Sequence, residues 1–553
     1  MEITSKSEWK DIDWKSAEQK VFKLQKRIYR ASENGNVELI HKLQKILVKS
    51  WSARLLAVRK VTQENKGRKT AGIDGVKTLN PKQRLELVET LKLDQNSRPL
   101  RRIWIPKPGK KENRPLGIPT MEDRAKQALL KMALEPEWEA NFEENSYGFR
   151  PGRGTYDALK AIRTNIQFKP KYVLDADISK CFDNINHEKL LKKLKTTTIF
   201  RKQIKVWLRS RVINDDILKA TKTGTPQGGI CSPLLANIAL HGMEKLLSNR
   251  FPASKSGYIR GSKAKYGRNV SIPRLIRYAD DYVITCEDLT ILLECKKLIE
   301  EWLNELGLRT NPDKTRIVHT LYEHEGNKPG FDFLGFTIRQ YKVGKRHQSK
   351  LKSRNWEKSK PYVTIFQPSK KSIANHYNKI SQIIHKHRAN SQEALIKALI
   401  PVIRGWCNYF SLENSSDAFR KMEYLIYKRL RRWAYRRNRM KKTGGWIAKR
   451  YWIQIGRVKW NFACKNSSGE IIKLPHYWEF INTNSHTKVK GAASPYNGDD
   501  LYWTNRIGEK YKNSEPQKAR LIKKPRKAVG KPLASTIADF KSAMCRVNRK
   551  PWI

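Results

Sequence analysis

The chain has 553 residues and a formal net charge of +61, from 113 Lys and Arg against 52 Asp and Glu. Its hydrophobic content of 39% excludes wholesale disorder, and its seven dispersed cysteines, none in a CxxC pair, exclude a disulfide scaffold. We find neither a secretory signal nor a stretch of about 18 apolar residues. We therefore expect a cytoplasmic protein of about three or four domains whose charge is balanced by nucleic acid, although a ribosomal-type protein would share that charge.

The first fifty residues predict a helical hairpin. Val21, Leu24 and Ile28 recur at helical spacing. Gly35 and Asn36 interrupt this period before it resumes.

Between about residues 100 and 340, short apolar strands alternate with helical segments. The predicted strands are RRIWIPK, KYVLDADI and the two halves of LIRYADDYVITC, and the longest predicted helices are EDRAKQALLKMALEPEWEANF and LTILLECKKLIEEWLNELG. This irregular order predicts an α+β fold rather than the regular alternation of a doubly wound sheet.

Adjacent acids in LIRYADDYVITC are the most informative feature of the sequence. Asp280 and Asp281 lie at the turn of a predicted hairpin, and Asp177, at the end of KYVLDADI, could face Asp280 across adjacent strands. Buried carboxylates repel one another unless cations compensate, and their oxygens suit Mg²⁺. Three carboxylates holding two Mg²⁺ ions is a layout for in-line phosphoryl transfer. The nearby Asp183 is better interpreted as a turn or helix-cap residue.

The C-terminal part of the chain is more basic than the rest. Residues 341–553 carry 48 basic and 12 acidic side chains, against 65 and 40 in residues 1–340. From about residue 355 to 460 the helical period returns and predicts three amphipathic basic helices. Beyond residue 460 the period is weak, and we expect the tail after about residue 512 to be disordered until it is bound.

Several longer motifs occur in a characteristic order. They are TAGIDGV (70–76), RPLGIPTMEDRAKQALL (114–130), SYGFRPGRG (146–154), GTPQGGICSPLLAN (224–237), YADD (278–281), GLRTNPDKTRIV (307–318) and FDFLGF (331–336). With these motifs, from about residue 50 to 460, the chain resembles the group II intron-encoded reverse transcriptases and maturases. SPYNGDDLYW (494–503) is similar to the end of that family's DNA-binding region.

The resemblance implies a right-hand polymerase of the α+β class. Fingers and palm would combine an antiparallel sheet with helices, and an α-helical thumb and a basic DNA-binding region would follow. The implied domains are 1–100 (N-terminal helical extension and start of the fingers), 101–345 (fingers and palm), 346–460 (thumb, or maturase domain X) and 461–553 (DNA-binding region).

The resemblance also implies roles at the site. Asp177, Asp280 and Asp281 match the catalytic metal ligands, with the carbonyl of Ile178 as a further ligand of two Mg²⁺ ions. Phe182 matches the aromatic residue under the incoming sugar, whose ring would exclude a 2′-hydroxyl.

Further residues match the deoxynucleotide pocket. Gln227 corresponds to the pocket glutamine, and Lys107 and Arg114 to the cations that hold the triphosphate. Lys110 or Lys111 could replace Lys107 in this role. Lys314 matches a basic residue near the active site, or forms a structural salt bridge.

The segment LRRWAYRRNRMKK (430–442) is the strongest candidate for RNA contact. Its expected contacts are Arg431, Arg432, Arg436, Arg437 and Arg439, with Trp433 and Tyr435 beside them. A merely solvated helix face is the alternative. Phe333 and Gly335 of FDFLGF are expected to be structural.

The implied function is to bind intron RNA, assist splicing and copy the intron into DNA by target-primed reverse transcription during retrohoming. The expected partners are intron RNA, target DNA and deoxynucleotides. Alternatives are a splicing-only maturase and a reverse transcriptase of a CRISPR-associated or retron-type system. We find no spaced Cys and His ligands for the HNH nuclease found in many relatives, and a nascent strand at a replication fork would then serve as primer. The choice of intron and the oligomeric state, monomer or dimer, stay open.

Overall fold

The computed structural model describes residues 8–106, 113–214, 217–219, 224–225, 228–344, 349–353, 356–437, 443–482 and 486–506. These residues form two compact units. The first contains the described residues up to His319 together with Thr487–Asn505, and the second contains those of Thr320–His486 together with Arg506.

The first unit combines helices with two four-stranded sheets. Its helices are α1 (Trp14–Glu33), α2 (Val37–Lys49), α3 (Trp51–Arg59), α4 (Pro81–Thr90), α5 (Met121–Asn141), α6 (Thr155–Ile166), α7 (Cys181–Asn184), α8 (His187–Leu194), α9 (Thr198–Leu208), α10 (Ser232–Leu240), α11 (Met243–Arg250), α12 (Ser262–Tyr266) and α13 (Leu289–Glu305). Its strands are β1 (Leu100–Pro106), β2 (Asn113–Ile118), β3 (Tyr172–Asp177), β4 (Val212–Asn214), β5 (Ile217–Lys219), β6 (Arg274–Tyr278), β7 (Asp281–Cys286) and β8 (Arg316–His319).

Helix α5 forms the centre of the helical core. Thr120 caps its first turn by accepting a hydrogen bond from the amide of Asp123, and most of its length is buried. Helices α1, α2 and α3 pack against it. The predicted hairpin of α1 and α2 is confirmed, because Asn36 caps α2 directly after Gly35, whose φ is +67°.

The sheet that carries the acids is antiparallel, with the strand order β6-β7-β3-β8. Strand β3 has buried Val173, Leu174 and Ala176 and packs against α13. The other sheet has the order β2-β1-β4-β5 and contains one parallel pair, β1 with β4. The expectation of an α+β class with mainly antiparallel sheets is confirmed for the first unit.

In the second unit, strands precede and follow a group of helices along the chain. Its strands are β9 (Phe331–Phe333), β10 (Phe336–Lys342), β11 (Ser349–Ser353), β12 (Trp356–Lys360), β13 (Tyr362–Pro368), β14 (Trp452–Ile455), β15 (Val458–Lys465) and β16 (Ile471–Lys473). Its helices are α14 (Lys370–Lys386), α15 (Gln392–Phe410), α16 (Ser416–Arg437) and α17 (Gly444–Tyr451). The three predicted helices correspond to α14, α15 and α16. Phe333 is buried and Gly335 adopts φ +81°, as expected of structural residues.

The segment Thr487–Asn505, which we call the C-terminal clasp, packs on the first unit although it follows the second in sequence. Trp503 is 1% exposed, and a Cβ atom on Gly152 would lie 2.5 Å from its ring. The Arg153 guanidinium donates a 2.9 Å hydrogen bond to the carbonyl of Gly491. Lys26 of α1 forms an ion pair of 2.8 Å with Asp500. The clasp therefore joins α1 to the loop before α6.

None of the helices among the described residues has the length and apolar character needed to cross a membrane.

Candidate active site

Strand pairing brings the three predicted acids together. Asp177 ends β3 and pairs with Asp281, the first residue of β7. Asp281 also pairs with Tyr278 of β6, so only Ala279 and Asp280 form the hairpin turn. Ala279 adopts φ +59°, as a two-residue hairpin turn requires. The predicted juxtaposition of Asp177 with the pair at the turn is therefore present, with Asp281 directly opposite Asp177.

Burial and neighbouring charge raise the pKa of the two adjacent acids, Asp280 and Asp281. Burial, followed by the charges of Asp280 and Asp177, raises the pKa of Asp281 from 3.8 to about 8. Burial, with the charge of Asp177 adding to it, also raises the pKa of Asp280. The site thus holds more negative charge than its surroundings compensate.

Two basic side chains partly balance this charge. Lys314 forms an ion pair with Asp177. Burial alone would lower the pKa of Lys314, but the hydrogen bond and charge of Asp177 raise it. Arg114 on β2 is exposed, and its charge acts to lower the pKa of Asp280. The predicted cation Arg114 and the basic residue Lys314 therefore both lie close to the acids.

The hairpin turn rests on a buried polar network. Arg277, which is 1% exposed, donates hydrogen bonds of 3.0 Å to the Asn237 side chain and 3.1 Å to the carbonyl of Ala279. Asn237 in turn donates a 2.8 Å hydrogen bond to the carbonyl of Gly148. A Cβ atom on Gly148 would lie 2.4 Å from the amide nitrogen of Ala279, so only glycine permits this approach. This network fixes the turn that carries Asp280.

The donor set fits a hard divalent cation. Three carboxyl groups converge beside the buried residue Ile178, and no hydrogen bond from any described residue reaches the carbonyl oxygen of Ile178. Carboxylate and carbonyl oxygens are the ligands that Mg²⁺ takes. Within the described ranges no three His, Cys, Asp or Glu side chains are arranged so that they could hold a metal ion. One carboxylate of the acidic group is engaged by Lys314.

Phe182 lies in the turn that follows the acidic strand. It belongs to the short helix α7 and is half-buried. Its ring meets that of Phe149 edge to face, with centroids 6.5 Å apart. Phe149 is 46% exposed and adopts φ +60°, which is a rare conformation for an aromatic residue. Phe182 and Phe149 thus form an aromatic pair near the acids.

Two predicted pocket residues, Lys107 and Gln227, lie outside the described residues. The loop that contains Gln227 is described on both sides of it. Gly224 approaches α7, and a Cβ atom on Gly228 would lie 2.8 Å from the carbonyl oxygen of Gly117 in β2.

The arginine-rich end of α16 has two different faces. Arg431, Arg432 and Arg436 are exposed. Arg437 is also exposed, but it donates hydrogen bonds of 2.9 and 2.8 Å to the carbonyls of Arg388 and Asn390, which follow α14. Its guanidinium lies 4.8 Å from the centroid of the Trp433 ring.

Trp433 was expected beside the RNA contacts, but it is buried. Its indole nitrogen donates a 3.0 Å hydrogen bond to the carbonyl of His387. This tryptophan belongs to the core because it lies on the face of α16 that also buries Leu430 and Ile426. Arg439 lies outside the part of the chain that the structure describes.

Sequence reasoning missed Arg277 and His187. Both are buried polar residues. Arg277 donates to the hairpin turn, and Nε2 of His187 lies 2.6 Å from the carbonyl oxygen of Gly224. Arg277 precedes YADD by one position, and His187 follows the strand of Asp177 by ten. Only their placement among polar atoms of distant segments distinguishes them from surface residues.

Three family models match the chain. "Reverse transcriptase (RNA-dependent DNA polymerase)" matches residues 105–338, "N-terminal domain of reverse transcriptase" matches 9–91, and "Group II intron, maturase-specific domain" matches 373–452.

Similar proteins include Protein YkfC of Escherichia coli, 30% identical over 338 residues that cover 56% of this chain and 85% of the relative. Group II intron-encoded protein LtrA of Lactococcus lactis is 26% identical over 556 residues, covering 84% of this chain and 90% of the relative. Maturase-like protein 1 of Euglena gracilis is 27% identical over 440 residues, covering 77% and 81%.

Proposed function

The chain belongs to the group II intron-encoded proteins and is an RNA-directed DNA polymerase and maturase; from this premise we propose that Asp177, Asp280 and Asp281 form its catalytic centre. The observation that carries the proposal is the antiparallel pairing of β3 with β7, which places one acid against two others. The other acid of β3, Asp175, is paired with Arg316 of β8 instead. The buried Arg277 behind the turn supports the same assignment, since it keeps the turn in one conformation.

We propose that two Mg²⁺ ions are held by these carboxylates and the carbonyl of Ile178. When bound, they would supply the charge that favours ionisation of the primer 3′-hydroxyl and stabilises the leaving pyrophosphate. The raised pKa of Asp281 supports this, because the site without cations favours its protonated form. Lys314 supplies part of the positive charge and would release Asp177 as the ions bind.

The incoming deoxynucleotide is assigned to the space in front of these acids. We propose that the Phe182 ring lies against its sugar and excludes a 2′-hydroxyl, and that Arg114 holds the triphosphate. Lys107 and Gln227 are assigned to the same pocket from the resemblance of their motifs.

We also propose that residues 101–345 are the fingers and palm of a right-hand polymerase and 346–460 its thumb. Residues 1–100 would be the N-terminal extension, and 461–553 the DNA-binding region. Among the arginines of α16, the exposed Arg431, Arg432 and Arg436 are the better candidates for intron RNA, since Arg437 is held by two backbone carbonyls, whereas Arg431 contacts the exposed side chain of Tyr435 on its own helix. Arg439 keeps its assignment as an RNA contact from the sequence alone.

The proposed process is target-primed reverse transcription of the intron during retrohoming, with target DNA and deoxynucleotides as partners. The three acids disfavour a splicing-only maturase, which has no need of a buried cluster that repels itself. The match of residues 373–452 to the maturase-specific domain disfavours a CRISPR-associated or retron-type enzyme.

Primer extension tests the proposal directly. The purified chain, given an RNA template, an annealed DNA primer, deoxynucleotides and Mg²⁺, is expected to extend the primer, and EDTA is expected to stop it. The readout is product length on a denaturing gel. A preparation that binds intron RNA and promotes splicing but adds no nucleotides would favour the splicing-only alternative.

Asp281→Asn is expected to change how stability depends on pH. The folded-state pKa of Asp281 is about 8 against an ordinary 3.8, so the folded state binds the extra proton and loses stability as pH rises between these values. In EDTA, the melting temperature of the variant should therefore exceed that of the wild type increasingly from pH 5 to pH 8. Added Mg²⁺ should raise the wild type and remove this advantage. A difference between the two proteins that is constant with pH would contradict the assignment.

A further inference from the structure

The loop that begins at Gly224 is bound to the turn that carries Phe182. The amide of Gly224 donates a 2.9 Å hydrogen bond to the carbonyl of Ile185, and the amide of Thr225 donates to the carbonyl of Phe182. A Cβ atom on Gly224 would lie 2.5 Å from the carbonyl oxygen of Asp183. The two segments therefore touch backbone to backbone, and movement of one must move the other.

A single side chain adds to these backbone contacts. His187, at the first position of α8, is 7% exposed, and its Nε2 lies 2.6 Å from the carbonyl oxygen of Gly224. A carbonyl only accepts, so Nε2 must carry the hydrogen. Asn186 caps the same helix end by accepting from the amides of Glu188 and Lys189, which fixes the position of the imidazole.

We propose that His187 is a positioning residue for the deoxynucleotide pocket: by holding the carbonyl of Gly224, it sets the distance between the start of that loop and Phe182. This inference rests on the proposed function, because Phe182 is taken to lie against the incoming sugar. His187 itself touches neither the acids nor the nucleotide.

The consequence for selectivity follows from the geometry. The Phe182 ring is supported on one side by Phe149, at a centroid distance of 6.5 Å. On the backbone side it is supported by Thr225. Loss of the imidazole leaves the buried Gly224 carbonyl unsatisfied and loosens that second support. The space beside the sugar then becomes less well defined, and a 2′-hydroxyl is excluded less strictly.

His187→Ala is expected to raise the KM for deoxynucleotides about ten-fold and to lower discrimination against ribonucleotides about ten-fold, with kcat within about two-fold. His187→Gln, whose amide nitrogen can replace Nε2 as donor, should restore both quantities to near the wild-type values. His187→Asn, whose amide is too short to reach, should behave like the alanine variant and replaces it if that variant does not fold. Steady-state single-nucleotide incorporation with dNTP and with rNTP measures KM, kcat and discrimination for each variant.

His319→Ala is the matched control. His319 belongs to the same unit, is 8% exposed, and lies opposite Tyr172 at the end of β3 away from Asp177. The His319→Ala variant should have a lower melting temperature than the wild type, with the same KM for deoxynucleotides and the same discrimination against ribonucleotides.

His187→Ala could lose stability but leave KM and discrimination unchanged, which is the result expected of His319→Ala. In that case His187 is only structural and the inference is wrong. A wild-type protein that extends no primer would instead contradict the proposed function, and this inference with it.

Discussion

Replacing Asp280 and Asp281 together by Ala is expected to lower DNA synthesis by at least about 1,000-fold while leaving the affinity for intron RNA within about two-fold. The two carboxylates are needed to hold the metal charge at the reacting groups, whereas RNA affinity is expected from exposed arginines of the second unit. Primer extension on an RNA template measures the first quantity, and filter binding of labelled intron RNA measures the second.

Two comparisons isolate this effect. Glu301→Ala with Glu305→Ala removes two exposed acids from α13 of the same unit and should leave synthesis unchanged. Arg431→Ala with Arg432→Ala should give the reverse result, with weaker RNA binding, a shallower salt dependence and normal extension of a short annealed primer. If the aspartate variant loses RNA binding as fully as synthesis, the separation of the two activities is wrong.

Much of the first unit could be predicted from local sequence patterns. The break at Gly35 and Asn36 marks the end of one helix period and the start of another. The apolar runs before Asp177 and on both sides of YADD have the length and composition of buried strands. Acids that follow or join such strands lie at the strand ends. The convergence of the three acids was therefore predictable once the strands were taken as neighbours in one sheet.

The supports of the site could not be predicted in this way. Arg277 lies within a strand and gives no periodic signal. Its partner Asn237 is 40 positions away in the sequence, and Gly148, to which Asn237 donates, is a further 89 positions away. His187 has the ordinary appearance of a helix-start residue. Trp433 shares its segment with exposed arginines, and only the helix face on which it lies makes it a core residue. Such contacts depend on tertiary packing, about which local composition carries little information.

The packing of the C-terminal clasp could not be predicted from local sequence either, because its contacts join residues that are far apart in the chain. Its motif, SPYNGDDLYW, resembles the end of a DNA-binding region, and nothing in its composition indicates that it packs on the first unit. Val489 donates a 2.7 Å hydrogen bond to Asp157, 332 positions earlier. Tyr496 donates one of 3.2 Å to Glu135, 361 positions earlier. These long-range contacts make the clasp part of the core of the first unit.

Trp503→Ala is therefore expected to lower the free energy of unfolding of the first unit by about 3–5 kcal/mol. The indole is 1% exposed, donates a 2.9 Å hydrogen bond to the carbonyl of Ser494 and fills the space against Gly152. Its removal leaves a cavity that the neighbouring backbone cannot close. Urea denaturation of the full chain, followed by circular dichroism, measures the loss, and primer extension should become heat-sensitive in parallel.

Trp460→Ala is the matched control, since this tryptophan of the second unit is 55% exposed and its replacement should change the free energy of unfolding by less than about 0.5 kcal/mol. If the clasp serves only to bind DNA, then Trp503→Ala will weaken binding of duplex DNA while leaving both denaturation and heat sensitivity of synthesis unchanged. If it is part of the polymerase unit, then stability and synthesis will fall together even when no duplex target is present. The second result is the expected one, because the contacts of the clasp with Lys26, Glu135, Gly152, Arg153 and Asp157 all join it to the rest of the first unit.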